Sequence, residues 1–280
     1  MSVKIIVDST VDLPQAVKAQ MHAVVPLSVV FGSEEYKDGE TITAQKFYEM
    51  LVKSEQLPTT SQPTPALFEE AYEEATADGS EAVVITISSR LSGTYQSATI
   101  AAEDFAGKVF VADSRTGAIG AGVLAMYALE LARQGKSGQE ILEELMAKRN
   151  KIRVYAMVDT LEYLKKGGRL NAAVAVVGGL LNIKPLICVN EEGKIEVAGT
   201  ARGMKKAFST LNENIAKFGG PDKSMPILLG YTGESDENLK KYREENADLW
   251  SAQIPDTQIG AAIGVHVGPG AVAAAYFSVE

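Results

Sequence analysis

Two short runs of hydroxyl residues are placed where a small anion could be held. In Pro58-Thr59-Thr60-Ser61-Gln62-Pro63 the flanking prolines stiffen the backbone and fix how the hydroxyls are presented. In Ser88-Ser89-Arg90-Leu91-Ser92-Gly93-Thr94-Tyr95 the hydroxyls follow an apolar strand pattern and open a helix. The first amides of a helix have no partner within it and attract negative charge. Ser92 therefore either caps its helix or adds a hydrogen bond to a bound anion. A third segment, Gly264-Val265-His266-Val267-Gly268-Pro269-Gly270, has His266 as its only titratable side chain, and its glycines let the backbone run close to a neighbour. That imidazole either donates to a carboxylate or is satisfied by a backbone carbonyl.

Most catalytic machineries leave a local signature, and few are present. Ser92, His266 and a strand-end aspartate make a hydrolase on paper, but no GxSxG nucleophile turn exists. There is no GxxxxGK[ST] loop for a nucleotide phosphate. Gly117, Gly120 and Gly122 read GxxGxG, not the dinucleotide GxGxxG, and at a helix start such glycines also serve close packing. With His22 and His266 alone, histidine-rich metal sites are excluded, and no carboxylate spacing singles out a magnesium site. The single cysteine, Cys188, excludes an intramolecular disulfide and a cysteine-pair zinc site. A net charge of -9, with no basic stripe or helix-turn-helix, argues against nucleic acid as a partner. The chain begins directly on a strand pattern, without a basic patch and apolar signal core, so a cytoplasmic protein is expected.

The elements that must position these residues follow an α/β rhythm. A length of 280 residues suggests two domains with a cleft between them. Strands are expected at 3–7 and 24–30, helices at 13–21 and 44–53, and a loop at 57–63. Thr64-Pro65 opens a helix reaching 75, and 82–87 is an uninterrupted apolar strand suited to a buried parallel sheet. Asp8-Ser9, Asp113-Ser114 and Asp159-Thr160 each end a strand pattern before a helical one, which suggests βα units on one sheet with the aspartates as helix caps. Beyond Gly167 come a basic turn, a small-residue helix near 172–181 and a hairpin of 184–189 and 194–198 about the turn 190–193. A helix at 204–218, a strand at 227–231, a helix running through Trp250 and glycine-rich apolar segments close the chain. The fold class is α/β: an N-terminal domain, 1–151, with a mainly parallel sheet flanked by helices, and a C-terminal α+β domain, 152–280.

Taken in order, Asp8-Ser9-Thr10 with Asp12-Leu13-Pro14, Thr60-Ser61-Gln62-Pro63, Leu91-Ser92-Gly93-Thr94-Tyr95-Gln96-Ser97-Ala98, Gly167-Gly168-Arg169-Leu170, Ile183-Lys184-Pro185 and His266-Val267-Gly268-Pro269-Gly270 resemble the DegV family from first strand to last. The resemblance implies a two-lobed fold that buries one long-chain fatty acid, such as palmitate or oleate, at and near the interface, with no cofactor. In relatives it further implies the carrier subunit of a bacterial fatty acid kinase, serving phospholipid synthesis. The kinase subunit phosphorylates the bound carboxylate to an acyl phosphate, and the carrier needs no catalytic machinery. Carried over by motif, Thr60 and Ser92 hydrogen-bond the carboxyl group with Ser61 and His266 nearby, while Arg169, Arg202 and Lys205 belong to the kinase-facing surface. Lipid exchange implies transient contact with a membrane surface. The chain departs from the family at Leu170, where isoleucine is frequent, and at Val267, where relatives commonly have a small polar residue.

Each buried methylene contributes about 0.8 kcal/mol, so an acyl chain supplies affinity while a few polar groups set its direction. Ala101, Ala102, Ala118, Ala121, Ala125, Ala128 and Ala172 to Ala175 either leave room for such a chain or allow close helix packing. Arg202, Lys205 and Lys206 fit docking onto an acidic partner or form a solvated helix face. The competing reading is an enzyme, either a hydrolase using Ser92 or a kinase-like activity by analogy with dihydroxyacetone kinases.

Overall fold

Strands without polar alternation need cover on both faces, and the first sheet has it. The computed structural model describes residues 2–170 and 182–279. Its first half runs β1 (Val3–Asp8), α1 (Gln15–Lys18), β2 (Ala23–Val25), β3 (Ser28–Phe31), β4 (Glu34–Lys37), α2 (Ala44–Leu51), β5 (Thr59–Ser61), α3 (Pro65–Thr76), β6 (Glu81–Thr86), α4 (Thr94–Ala102), β7 (Val109–Asp113), α5 (Ile119–Arg133) and α6 (Gly138–Lys148). The second half runs β8 (Ile152–Met157), α7 (Glu162–Lys166), β9 (Ile183–Val189), β10 (Ile195–Arg202), α8 (Met204–Ala216), β11 (Ile227–Tyr231), α9 (Glu237–Glu245), β12 (Asp256–Gln258), α10 (Ala261–Val267) and β13 (Val272–Phe277).

The first sheet is parallel throughout, in the order β2-β1-β6-β7. Alternate residues face opposite sides. Ile6, Ala82 and Val84 pack with Phe68, Tyr72 and Ala98 of α3 and α4, whereas Ile5, Val83 and Ile85 pack with Leu124 and Ile141 of α5 and α6. The second sheet, β10-β9-β8-β13-β11-β12, is antiparallel except for β11 with β12. One of its faces carries Phe208, Leu211, Tyr242 and Trp250, and the other, through Ala156, Ala273 and Ala275, joins the core that surrounds α5. Helix α5 thus lies between the two sheets. It manages this through its glycines: a Cβ at Gly120 would collide with Thr116 and Val154, and one at Gly122 with the Asp12 carbonyl and Leu228. These glycines serve close packing.

A third, small sheet, β4-β3-β5, packs with α2 and α10 around Leu27, Val29, Phe47, Tyr48 and Val265. It was not expected. Pro26 cannot donate to a ladder, and the single strand expected at 24–30 divides there into β2 and β3, which join different sheets. The helix expected at 13–21 contracts to the four residues of α1. The expectation that three βα units share one sheet is corrected as well: β8, which precedes Asp159, pairs antiparallel with β9 and β13 in the second sheet. Helix α9 stops at Glu245, short of Trp250, which is buried outside it. The small-residue helix expected near 172–181 and the alanines 172–175 lie outside the described residues. Among the described residues, no helix is long and apolar enough to cross a membrane, and no three His, Cys, Asp or Glu side chains gather to hold a metal.

Candidate functional site

The segment expected as a loop at 57–63 is partly strand, because Thr60 pairs with Val29 across the β5–β3 ladder. Neighbouring strand residues point to opposite faces. Thr60 is half-buried while Thr59 and Ser61 are exposed. Its Oγ1 lies 3.0 Å from His266 Nε2.

His266 sits on α10 rather than in an open glycine loop, and the helix ends at Gly268 with φ of 74°. Carboxylates fix the start of α10, the end where negative charge is favoured. Asp12 accepts from the Gly260 amide at 2.7 Å, and Asp38 accepts from Ala261 at 3.0 Å and Ala262 at 3.2 Å. Burial raises the pKa of both carboxyls. At Gly264 a Cβ would meet Phe47 and Tyr48, so α2 rests directly on α10. Helical spacing then turns Ala262, Ile263, His266 and Val267 toward one cavity. The His266 ring lies against Gly167, its Nδ1 is buried without a partner, and burial together with the Arg169 cation lowers its pKa to about 4. At neutral pH the imidazole is uncharged.

Ser92 occupies the turn before α4, with Oγ 2.9 Å from Thr94 Oγ1. Its loop is pinned by the strand ends. Asp8 accepts from the Ile87 amide at 2.8 Å, and Asp113 accepts from Ser89 through the amide at 3.2 Å and the hydroxyl at 2.7 Å. These aspartates therefore tie loops together; helix capping, the expected role, belongs elsewhere, for example to the Ser137–Glu140 capping box of α6. Gly93 leaves space that the Gln62 amide fills, and Gln62 Nε2 donates to Ser97 Oγ at 3.0 Å. Thus the two hydroxyl runs touch, although one forms β5 of the small third sheet and the other follows β6 of the first. Arg169 closes the group: Nε donates to the Leu91 carbonyl at 3.2 Å and Nη1 to that of Gly167 at 2.7 Å.

Thr60, Ser92, Arg169, His266 and Thr10 line one end of a cavity otherwise walled by Leu27, Ile87, Leu91, Ile195, Ala262, Ile263 and Val267. A second cavity shares Leu91, Ile195, Ile263 and Val267 with it, continues along Ala118, Ile119, Val154 and Ile187, and reaches Cys188 and Val189. The two enclose about 60 and 70 Å³ of space open to water-sized molecules, narrow enough that an acyl chain would contact the walls on all sides. One end is polar; the rest is hydrocarbon.

Of the expected residues, Ser61 is exposed and absent from the cavity wall. Arg202, at the end of β10, and Lys205, in the first turn of α8, are exposed and away from it. Arg169, expected beside them on a partner surface, lines the cavity. Among the described residues no Ser-His-Asp relay is assembled, since Ser92 pairs with Thr94, His266 pairs with Thr60, and no carboxylate bonds Nδ1. Of the alanines proposed to leave room, Ala118 lines the apolar cavity, whereas Ala101, Ala121, Ala125 and Ala128 are buried in helix packing. Sequence reasoning missed Ile195, Ile263, Leu27 and Ile187. The alternation Ile195, Val197 marks a buried face but not a cavity. Thr10 was at least signalled by its place in Asp8-Ser9-Thr10.

The family model described as Uncharacterised protein, DegV family, matches residues 2–279. A DegV domain-containing protein of Deinococcus radiodurans is 37% identical over 276 residues, 98% of either chain. Among solved structures, a DegV family protein from Thermus thermophilus described by its fatty acid binding superposes with a TM-score of 0.89 at 35% identity, over all of both chains. DegV from Bacillus subtilis, described as a fatty acid binding protein, superposes with a TM-score of 0.82 at 31% identity, over 98% of each chain.

Proposed function

Because this chain belongs to the DegV family, we propose that it binds one long-chain fatty acid, with the carboxyl group among Thr60, Ser92 and His266 and the acyl chain in the apolar cavity. The observation that carries this reading is the adjacency of two cavities that share Leu91, Ile195, Ile263 and Val267, one with a polar end and the other walled by hydrocarbon. At about 0.8 kcal/mol per buried methylene, the wall supplies affinity and the polar end supplies direction. Uncharged His266 offers a hydrogen bond, while Arg169, which forms no ion pair among the described residues, supplies the cation that a buried carboxylate requires. The names of the Thermus and Bacillus relatives support the same ligand class.

The finer reading is that of a cytoplasmic carrier without its own chemistry, built of two units, 1–151 and 152–280. It presents the carboxylate to a fatty acid kinase subunit and meets a membrane surface briefly to exchange lipid. Exposed Arg202 and Lys205 are available for such docking. Native mass spectrometry of purified protein tests the first step. Retention of one long-chain fatty acid per chain is expected; an empty protein that also refuses added oleate and palmitate would sink it. Release of acyl phosphate on adding a kinase subunit and ATP tests the second.

A further inference from the structure

On a chain of net charge -9, three arginines stand together without an ion pair among the described residues. Arg115, Arg149 and Arg153 line a solvent-open cavity of about 200 Å³. Two of them are held in place. Arg149 Nη1 donates to the Asp113 carbonyl at 2.6 Å. Arg153 Nη1 donates to the carbonyls of Asn150 at 2.7 Å and Ile152 at 3.2 Å, and its guanidinium carbon lies 4.5 Å from the centre of the Phe218 ring. Backbone carbonyls and a ring orient these groups without neutralising them. Arg115 adopts a left-handed backbone, φ 52°, with its amide on Asp113 Oδ1 at 3.0 Å. Such a conformation is strained for arginine and marks a position held by its surroundings.

We propose that this cavity binds a phosphate monoester, with the dianion on Arg115, Arg149 and Arg153. Guanidinium forks match phosphate oxygens in geometry and keep their charge at any ordinary pH. Three of them exceed what a monoanionic carboxylate requires. Burial and then the Arg115 cation pull the Arg149 pKa below its usual value, against a smaller opposing pull from the Asp113 carboxylate. Glu191 and Glu196, also on the cavity wall, are exposed, and the latter accepts from Asn190 Nδ2 at 2.6 Å. Exposed to solvent, their charges are screened by salt. Thr116 adds a buried hydroxyl oxygen that has no partner among the described residues, at the cavity wall. The Phe218 ring, on Arg153, offers an apolar flank to the organic part of the ester.

The assignment is independent of fatty acid binding, because the polar end of the lipid cavity contributes none of these arginines. Calorimetric titration of the purified full chain with glycerol 3-phosphate, inorganic phosphate and glycerol tests it. Saturable binding of both phosphates and none of glycerol is expected, with affinity for the ester lowered about ten-fold by Arg149→Gln or Arg153→Gln. Arg115→Asn provides a variant that cannot fail for reasons of folding, since the side chain is exposed and asparagine accepts its backbone conformation; it too must weaken binding. Sedimentation with phosphatidylcholine vesicles, with and without phosphatidic acid, separates a soluble ester from a lipid headgroup. Retention on the phosphatidic acid vesicles alone, lost in Arg115→Asn, would assign the phosphate to lipid. Absence of saturable phosphate binding to either source, or binding indifferent to all three substitutions, would overturn the site.

Discussion

The two adjoining cavities, one with a polar end and one apolar, are built on opposite plans. At the polar end, five segments far apart in sequence each contribute one group, and each group is held by bonds of its own: Thr10 by Asp8, Thr60 by the β3 ladder, Ser92 by its turn, Arg169 by two carbonyls, and His266 by a helix whose start two aspartates fix. Along the apolar stretch no side chain is individually bonded, and the wall is a sum of small contacts. Shape can therefore vary in the second region at modest cost, whereas the first tolerates little change.

The strongest way to break this contrast is to block the passage where both regions meet. Ile263 lines both cavities, and Ile263→Trp should exclude a segment of the acyl chain. Excluding about four methylenes removes about 3 kcal/mol, roughly 100-fold in affinity. Displacement of a fluorescent fatty acid checks this, and unchanged affinity would place the chain elsewhere.

Next in size is the dependence of stability on pH at the polar end. The pKa of His266 falls from 6.5 to about 4 on folding, so between these values the unfolded chain binds a proton that the folded imidazole refuses. Its contribution is complete above pH 6.5 and fades as pH falls toward 4, by about 3 kcal/mol. Asp8 acts in the opposite sense, because burial raises its pKa from 3.8 to about 6 and stability attributable to it is lost as pH rises through that window. The comparison must thus be made between variants. His266→Gln should gain stability relative to the parent as pH is lowered from 6.5 to 4 in denaturant titrations, and parallel curves would contradict the buried, uncharged imidazole.

Smaller still is the loss of one polar contact. Thr60→Val keeps the shape and β-branching of the strand residue and removes only the hydroxyl, which should weaken fatty acid binding by about 1.5 kcal/mol, roughly ten-fold. A larger loss for Thr60→Val than for Ile263→Trp would invert the division between affinity and direction. Arg202→Ala and Lys205→Ala, exposed and distant from the cavity, should change lipid retention by less than about 0.5 kcal/mol. In a reconstituted kinase reaction, a reduced rate with intact retention is expected of both.

Regular elements were legible where one physical signal dominated. The apolar run of β6, β9 with its Asn190–Gly193 turn, and the proline-initiated α3 appear near their expected limits, while β10 runs on past the expected 198 to Arg202. Failures occurred where tertiary pairing decided. Nothing local reveals that Thr59 to Ser61 will become the edge of a three-stranded sheet, or that β8 will lie beside β13 more than a hundred residues later. The site shows the same division. Thr60, Ser92 and His266 carry visible chemistry in short motifs. Ile263 and Ile195 look like any buried aliphatic, and only the fold shows that they border empty space.

The position of α5 bears on how the molecule comes to exist at all. During synthesis this helix leaves the ribosome after β1 and β6, which cover one of its sides, but before β8, β11 and β13, which cover the other. β13 is central in its sheet and is made after every other strand of it. Until about residue 277 has been translated, the nascent chain therefore carries an uncovered apolar helix face, the kind of surface that chaperones recognise and that drives self-association. Ribosome-bound chains stalled shortly before Val272 should be the aggregation-prone species, and the brief life of that intermediate depends on the last strand finding a slot between two strands made much earlier.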